Sequence, residues 1–321
     1  MAYLVTGGTG YIGSYVVRDL LERGKEVVCL QRSGVTPVFR EVVGERNIDK
    51  VKVIQGSVAE PIQLFDLMSD YHIDHIAHLS FTMPPSSEQN PATALRVNCV
   101  GMNNILEAAR IFRVKKVVWP SAGVALGRIS DFYTKPIGDD DALYMPISMY
   151  GATKALNEYM TKLYYDKFGV DTIGFRLQLT FGVGRWHGVF GEITDRFRKA
   201  ALNIPVTIRS GPEPMGFLYV ENASNMFVQA LDAPTTKTRV FNLIDGSYTW
   251  GYVAELMCKI NPQAKVTVEG KAGSADYSVP EVDTTGVRTE LGYKPKYEFE
   301  EAVRRVLNYF RQKEGLALFE G

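Results

Sequence analysis

The chain has 321 residues, of which 45% are hydrophobic and 22% charged, an ordinary composition for one large or two smaller globular domains. Lysine plus arginine and aspartate plus glutamate both number 36, so no basic excess indicates nucleic acid or an anionic membrane as partner. The cysteines, Cys29, Cys99 and Cys258, are odd in number and widely spaced, which argues against a disulfide framework and against a metal site. A strand-like run begins at residue 2 and no apolar stretch approaches ~20 residues, so we expect a cytoplasmic protein without a signal peptide.

Short β-rich runs alternate with longer helical patterns along the first half of the chain. The predicted strands cover 3–7, 26–32, 51–57, 73–80, 114–121 and 170–178. The predicted helices cover 12–24, 60–71, 90–113 and 149–169. Strands that are apolar throughout and alternate with helices are typical of a parallel sheet covered on both faces. The sequence therefore predicts an α/β fold with a doubly wound parallel sheet of the Rossmann type.

The pattern changes beyond this point. Residues 182–216 are rich in glycine, proline and arginine, and the last third mixes helical patterns with short strand-like runs. Apolar runs within 217–244 are candidates for strands that return to the main sheet. We therefore expect a dinucleotide-binding domain over residues 1–180 and a smaller mixed α/β substrate-binding lobe over residues 181–321.

The stretch "TGGTGYIG" (6–13) connects the first predicted strand to the first predicted helix. Gly7 permits a tight turn, Gly10 lets the backbone approach a pyrophosphate, and Gly13 lets helix and strand pack closely. The N–H groups and the dipole of the helix N-terminus favour the phosphate charge. The position at a strand-to-helix turn makes the pattern a dinucleotide-binding signal rather than a turn without a ligand.

The end of the second predicted strand indicates which dinucleotide binds. An acidic residue there would bind the ribose 2′-hydroxyl of NAD, but no aspartate or glutamate lies between Glu26 and Glu41. Gln31 occupies the acidic position and Arg32 follows it. Because a cation suits a 2′-phosphate, we favour NADP over NAD; the alternative is a solvated Arg32 with Gln31 on the hydroxyls of NAD.

"YGATK" places Tyr150 and Lys154 four residues apart, on one face of a predicted helix. A free tyrosine has a pKa of about 10, and lowering it by about 3 units takes roughly 4 kcal/mol of stabilisation of the phenolate. The lysine and an oxidised nicotinamide are cations that would supply it. We expect Tyr150 to exchange a proton with an alcohol or carbonyl substrate as hydride moves, and Lys154 also to hold the nicotinamide ribose.

With these residues assembled, the chain resembles the extended short-chain dehydrogenase/reductase, or NAD-dependent epimerase/dehydratase, family nearly end to end. The resemblance rests on "TGGTGYIG", "IDHIAHLS", "RVNCVGMNNILEAAR", "YGATKALNE", "FLYVENAS" and "ELGYKPKYEFEEAVRRVLNYF". It implies Tyr150 as acid/base, Lys154 as its activator, Asn98 as a support of the active site, and a serine or threonine near residue 121. The other cofactor contacts that we expect on this basis are Tyr11, Ile12, Ser57, Val58, Leu79 and Ser80.

The sequence leaves the third catalytic residue open. Many family members place the catalytic hydroxyl five residues before a glycine, and counting back from Gly127 reaches Ala122. The "SAG" stretch instead resembles that of flavonoid-type reductases, in which the serine is catalytic, so we favour Ser121. If neither holds, Ser80 or Thr82 would help Tyr150 to orient the substrate.

The substrate region also departs from the family pattern. Members that act on nucleotide-diphospho-sugars usually carry an arginine just before the strand that resembles "FLYV", where this chain has Met215 and Gly216. Arg185 would be one compensating cation. In the neighbouring "GRWHG", Trp186 would stack on a ring and His187 would donate to a carbonyl; the alternative is a packing tryptophan beside an exposed histidine.

These features favour an NAD(P)-dependent reductase or dehydrogenase that acts on a small, weakly anionic substrate. The alternatives are a nucleotide-sugar epimerase that retains its cofactor and a non-catalytic NAD(P)-binding sensor. Dehydration is disfavoured because Gly123 and Val124 stand where dehydratases carry an acidic pair. The resemblance further implies a homodimer paired through helices near 93–113 and 149–167 as a four-helix bundle.

Overall fold

A seven-stranded parallel sheet forms the centre of the fold in a computed structural model, which describes residues 2–127, 136–142, 144–186, 191–270 and 281–320. The strands are β1 (Ala2–Thr6), β2 (Glu26–Gln31), β3 (Val51–Gln55), β4 (Ile73–His78), β5 (Lys116–Ala122), β6 (Thr172–Leu177), β7 (Leu179–Phe181), β8 (Val206–Arg209), β9 (Met215–Tyr219), β10 (Val240–Leu243), β11 (Gly246–Tyr248) and β12 (Val266–Glu269). The order across the large sheet is β10-β6-β5-β4-β1-β2-β3, and each neighbouring pair is parallel. This order confirms the predicted doubly wound α/β fold, with its switch point between β1 and β4, where such sheets bind ligands.

Helices cover both faces of this sheet. The helices are α1 (Tyr11–Glu22), α2 (Pro37–Val43), α3 (Glu45–Ile48), α4 (Pro61–Asp70), α5 (Ser86–Gln89), α6 (Pro91–Ala94), α7 (Gly101–Ile111), α8 (Met149–Phe168), α9 (Gly191–Ala201), α10 (Val220–Leu231), α11 (Trp250–Ile260), α12 (Thr285–Glu290) and α13 (Phe299–Lys313). Strand side chains alternate between the faces: Leu4 packs in the core under α4, α7 and α8, and Val5 in the core under α1, α2, α10 and α12. Burial on both sides explains why these strands are apolar throughout.

Two local turns depart from a simple helix-and-strand description. Between α6 and α7 the backbone forms a π-helical turn at Leu95–Val100, within the region where the sequence predicts one helix over 90–113. A short 3₁₀ turn at Gly123–Ala125 follows β5 directly. Both turns lie next to the site described below, which is where such irregularities are often found.

The residues that follow β6 build smaller sheets. The order β11-β9-β7 forms a three-stranded sheet, and β12 pairs with β8. These sheets share a core with α9, α11 and α13 that is rich in aromatic side chains, including Phe181, Phe217 and Phe299. The strand β10 instead pairs with β6 in the large sheet. Among the described residues, no helix combines the length and apolar character needed to cross a membrane.

Candidate active site

The loop between β1 and α1 is built around closely packed glycines. Gly7 has a φ of +68°, and a Cβ there would lie 2.8 Å from the carbonyl of Leu79, which follows β4. A Cβ at Gly13 would overlap the Gly7 carbonyl oxygen. The helix α1 begins after Gly10, which brings no side chain to cap its first N–H groups. These N–H groups therefore remain available to a phosphate, and the loop fits the pyrophosphate of a dinucleotide.

A narrow pocket of about 170 Å³ lies on one side of this loop, at the carboxyl ends of β2, β3 and β4. The predicted site residues that line it are Gly7, Gly10, Gln31, Arg32, Ser57, Val58, Leu79, Ser80 and Thr82. The Arg32 side chain is exposed, and no carboxylate in the described parts of the chain pairs with it. The guanidinium is thus available at the rim of this pocket.

A larger cavity of about 460 Å³ lies on the other side of the loop. It shares Gly7, Gly10, Leu79 and Phe81 with the narrow pocket, so the two form one groove. The predicted site residues that line it are Gly7, Gly10, Tyr11, Ile12, Gly13, Leu79, Ser121, Ala122, Tyr150, Arg185 and Trp186. The buried Tyr11 hydroxyl has no hydrogen-bond partner among the described residues, as expected of a polar group that meets a bound ligand.

Tyr150 lies in the first turn of α8 and lines the cavity, with 9% of its surface exposed. Burial raises the pKa of its phenol above the usual value, and the nearby positive charge of Arg185 opposes this shift. The backbone N–H of Tyr150 donates to the Glu88 carboxylate at 3.0 Å, and that of Met149 donates to the same group at 2.9 Å. The backbone of this turn is therefore held in place, and the raised pKa keeps the phenol protonated at neutral pH.

Lys154 lies one turn further along α8 and is fully buried. Its ammonium donates to the Pro120 carbonyl at 2.6 Å and lies 3.0 Å from the centre of the Phe81 ring. The ammonium is also 5.4 Å from the centre of the Tyr150 ring. Burial lowers the pKa of Lys154 well below its usual value, which the negative charge of Glu158 opposes. The structure thus brings the predicted pair together, with Phe81 packed over the lysine.

Ser121 lies near the end of β5 and is 1% exposed. Its hydroxyl donates to the Glu158 carboxylate, which also receives the guanidinium of Arg176 at 2.7 Å and the hydroxyl of Tyr144 at 2.8 Å. This buried network joins β5, α8 and β6. Ser121 and Ala122 both line the cavity. The Ser121 hydroxyl, however, donates its hydrogen bond to the Glu158 carboxylate and not into the cavity.

Asn98 lies in the π turn, where it lines neither the cavity nor the narrow pocket. Its side-chain oxygen accepts from the Thr82 N–H at 2.7 Å, and its amide donates to the Thr82 carbonyl at 3.0 Å and to the Thr153 hydroxyl at 3.1 Å. These bonds fasten the segment after β4 to α8. Ser80 and Thr82 line the narrow pocket and not the cavity.

The predicted substrate residues after β7 lie at the cavity wall. The Arg185 guanidinium donates to the Thr180 carbonyl at 3.1 Å and lies 5.6 Å from the centre of the Tyr11 ring. Arg185 is the only charged side chain among the described residues that line the cavity. Trp186 is 42% exposed and packs edge-on against Phe310, with ring centres 6.0 Å apart. His187 lies outside the described residues.

Sequence reasoning had not assigned the rest of the cavity lining to the site. These residues are Phe81, Met83, Pro84, Pro120, Gly123, Val124, Ser148, Leu177, Gln178, Leu179, Thr180, Gly184, Met215 and Gly216. Most are apolar, and they include Met215 and Gly216, where the family resemblance leads us to expect an arginine in a chain that acts on nucleotide sugars. Ser148 could have been predicted as a site residue because it lies two residues before Tyr150. Met83 and Met215 could not, because only tertiary packing brings them to this cavity.

Comparison with known proteins agrees with this geometry. A model of the NAD-dependent epimerase/dehydratase family matches residues 3–243. An uncharacterised protein of Methanocaldococcus jannaschii is 27% identical, over 96% of this chain and 95% of its own length. The Arabidopsis thaliana UDP-glucuronate 4-epimerase 1 is 24% identical, over 97% of this chain and 76% of its own length.

Two solved structures of different activities share the fold. An L-threonine dehydrogenase of Clostridium difficile superposes with a TM-score of 0.84 at 25% identity, over 97% of this chain and 98% of that one. A UDP-glucose 4-epimerase of Thermotoga maritima, solved with UDP-glucose, has a TM-score of 0.83 at 22% identity, over 98% of this chain and 100% of that one. The fold is therefore shared by an L-threonine dehydrogenase and a UDP-glucose 4-epimerase.

Proposed function

This chain belongs to the NAD-dependent epimerase/dehydratase family, and on that premise we propose that it moves hydride between a nicotinamide cofactor and a small, largely apolar carbonyl or alcohol substrate. The observation that carries the proposal is the cavity beside Tyr150, whose described lining is mostly apolar and includes one charged side chain, Arg185. Such a lining suits an apolar body with at most one anionic group.

A nucleotide-diphospho-sugar fits this lining poorly. Its diphosphate carries at least two negative charges, and Met215 and Gly216 bring none of the donors that an arginine would bring. Each hydrogen bond to a charged group contributes roughly 1.5–3 kcal/mol, so loss of a bidentate arginine removes several kcal/mol of binding free energy. A substrate without a diphosphate avoids this loss.

Tyr150, Lys154 and Ser121 have different roles in the proposed reaction. When bound, the nicotinamide supplies or accepts the hydride at the substrate carbon. In the direction of reduction, Tyr150 gives its proton to the substrate oxygen, a role suited to a phenol that burial keeps protonated. Burial lowers the pKa of Lys154, so Lys154 would stabilise the Tyr150 phenolate, whose ring centre is 5.4 Å away, only in its protonated form. Phe81 packs over the Lys154 nitrogen, and Lys154 lines neither pocket, so a contact with a ribose would require Phe81 to move. Ser121 acts as a positioning residue through Glu158 rather than on the substrate.

We also propose NADP as the preferred form of the cofactor. Arg32 is exposed at the rim of the narrow pocket, and Gln31 beside it carries no charge to repel a 2′-phosphate. Hydrogen bonds from an arginine to a phosphate are short and frequently bidentate, which favours the phosphorylated ribose. Ser57 and Ser80 in the same pocket supply hydroxyls for the remaining adenosine oxygens.

We also propose a division of the chain into two domains and its assembly into a homodimer. Residues 1–180 would bind the dinucleotide and residues 181–321 the substrate, with β10 returning to the large sheet. A homodimer would form through α7 and α8, since Ile111 of α7 and several side chains of α8 are large, apolar and exposed. These include Leu156, Tyr159 and Leu163 of α8, each about half exposed.

The proposal is tested by presenting the purified chain with NADPH and benzaldehyde or phenylglyoxylate, and with NADP⁺ or NAD⁺ and L-threonine, while absorbance at 340 nm is followed. A parallel reaction contains UDP-glucose and NAD⁺, and its sugars are separated afterwards. Consumption of NADPH, or production of NADPH or NADH, supports the proposal. Conversion of UDP-glucose without a net absorbance change would instead establish the epimerase, and cofactor binding without any turnover would establish the sensor.

A further inference from the structure

The cavity lacks a hydroxyl at the place where strand-end hydroxyls act in related enzymes. Ala122 presents a methyl group there, and the neighbouring Ser121 donates its proton to Glu158. A carbonyl oxygen that becomes negatively charged during reduction needs a second donor besides the phenol of Tyr150. The remaining aliphatic hydroxyls in the described lining are those of Ser148 and Thr180.

Ser148 lies directly before α8, two residues from Tyr150, and lines the same cavity. Its hydroxyl oxygen accepts from the Gly151 N–H at 3.0 Å, as a helix N-cap does. Within the described parts of the chain, no group accepts the proton of this hydroxyl. A hydroxyl both donates and accepts, so Ser148 keeps a donor for a ligand while it caps the helix.

The position of Ser148 relative to β5 supports this role. A Cβ built on Gly151 would meet both the Ser148 hydroxyl, at 3.1 Å, and the Val124 carbonyl, at 2.6 Å. The Ser148 hydroxyl and the Val124 carbonyl therefore both lie beside Gly151, and Val124 belongs to the turn that begins directly after Ala122. Thr180 lies in β7, and its carbonyl accepts from Arg185. Of the two hydroxyls, that of Ser148 is the one on the chain segment that carries Tyr150, at the start of α8.

We propose that Ser148 donates a hydrogen bond to the substrate oxygen that Tyr150 protonates, in place of the strand-end hydroxyl that Ala122 replaces. The proposal rests on the hydride-transfer function proposed above. During reduction, hydride adds to the carbonyl carbon, the π electron pair moves to oxygen, and that oxygen takes the phenolic proton. Ser148 keeps its own proton throughout and stabilises the developing charge.

The Glu88 carboxylate allows Ser148 to be replaced without loss of the first turn of α8. It accepts the N–H groups of Met149 and Tyr150, so the first turn of α8 retains these contacts when the Ser148 cap is lost. Thr249 caps α11 in the same way, through a 3.1 Å bond from the Tyr252 N–H, and lies outside the described cavity lining. Thr249→Ala is therefore a matched control for the loss of a cap alone.

The experiment measures kcat and KM for phenylglyoxylate reduction by NADPH, together with thermal unfolding. Ser148→Ala is expected to lower kcat by about 100-fold, as does loss of an oxyanion donor elsewhere, with little change in KM. Ser148→Thr should stay near the wild type. Thr249→Ala should keep full kcat while losing a similar amount of thermal stability. Ser148→Ala combined with Ala122→Ser should recover activity, because a strand-end hydroxyl replaces the missing donor without restoring the cap.

Distinct outcomes separate the two proposals. An active wild type whose Ser148→Ala variant retains kcat within twofold would overturn the role of Ser148 and leave the hydride-transfer function intact. If Thr180→Val lowers kcat and Ser148→Ala does not, the hydrogen-bond donor to the substrate oxygen is Thr180. If only UDP-glucose is converted, the reductase proposal fails, and the same variants are scored on that reaction. A wild type inactive on every substrate would overturn both.

Discussion

Ser121 shows how one hydrogen bond changes the interpretation of a residue. Its place at the end of β5 was predictable from the apolar run that precedes it. Its partner was not, because Glu158 is distant in sequence and only the packing of α8 on β5 brings the two together. The spacing of Tyr150 and Lys154, by contrast, was predictable because both lie on one helix and the helix repeat places them on one face.

We expect Ser121→Ala to affect stability more than catalysis. The variant leaves Glu158 with Arg176 and Tyr144 as partners but removes one bond to a buried carboxylate, which costs about 1–2 kcal/mol of unfolding free energy. Urea unfolding measures this loss, and kcat should remain within a few-fold of the wild type. Thr161→Ala, which removes a buried hydroxyl from the same helix, is the control. A 100-fold fall in kcat at unchanged stability would show instead that Ser121 is a catalytic residue.

We propose that Arg32 determines the preference for NADP over NAD. Arg32→Gln is expected to raise the Kd of NADPH by about tenfold or more, because a charged hydrogen bond to the 2′-phosphate is lost, and to change the Kd of NADH little. Fluorescence titration of both dinucleotides measures the ratio. Arg46→Gln, at another exposed arginine, controls for net charge. Equal effects on both cofactors would contradict the NADP assignment.

At the scale of elements, the first turn of α8 depends on a neighbour in space. The predicted helix 149–169 agrees with the observed Met149–Phe168, which Ser148 caps and which ends at Gly169. The contact between Glu88 and the N–H groups of this turn gave no sequence signal. Neither did the π turn that carries Asn98, since it depends on the bonds between Asn98 and the segment after β4.

We expect Glu88→Gln to loosen this turn. Desolvation opposes ionisation, but hydrogen bonds from Met149, Tyr150 and Ser87 prevail and hold the pKa of Glu88 below its usual value. A carboxylate of this kind stabilises the fold above its unfolded pKa of about 4.3, and this contribution is lost as the pH falls through the folded value. The variant should therefore lose about 1 kcal/mol or less at neutral pH, since Glu88 is exposed, and show a weaker dependence on acid.

Hydrogen exchange measures this effect at the amides of Met149 and Tyr150, which should exchange faster in the variant. Gln89→Ala, in the same short helix, should leave both amides unchanged. Protection that is the same in Glu88→Gln and the wild type from neutral pH down to pH 4 would show that Glu88 does not hold the turn.

At the scale of the whole molecule, the exposed apolar side chains of α7 and α8 mark the proposed dimer face. Leu156→Glu together with Leu163→Glu should convert a dimer to a monomer, because each charge would have to be buried in the bundle. Light scattering coupled to gel filtration measures the mass. Ile62→Glu, at a more exposed apolar residue on α4, should leave the mass unchanged. A wild type that is already monomeric would refute the dimer.

The doubly wound sheet was predictable because the alternation of apolar strands with helices leaves few other arrangements. The cavity was predictable only in part. The residues of the glycine loop and the Tyr150 turn follow local motifs, whereas Met83, Leu179 and Met215 come from separate segments that only the folded chain brings together. The apolar character of the cavity therefore emerged from the structure.

We propose that hydride leaves the cofactor and stays on the substrate. The direct measurement uses NADPH carrying deuterium on the transferred face of the nicotinamide, phenylglyoxylate as acceptor, and mass spectrometry of the product. We expect one deuterium on the carbinol carbon of mandelate for each NADPH consumed, and loss of this product in Tyr150→Phe. Absence of deuterium from mandelate, with UDP-glucose epimerised at unchanged cofactor level, would contradict the account.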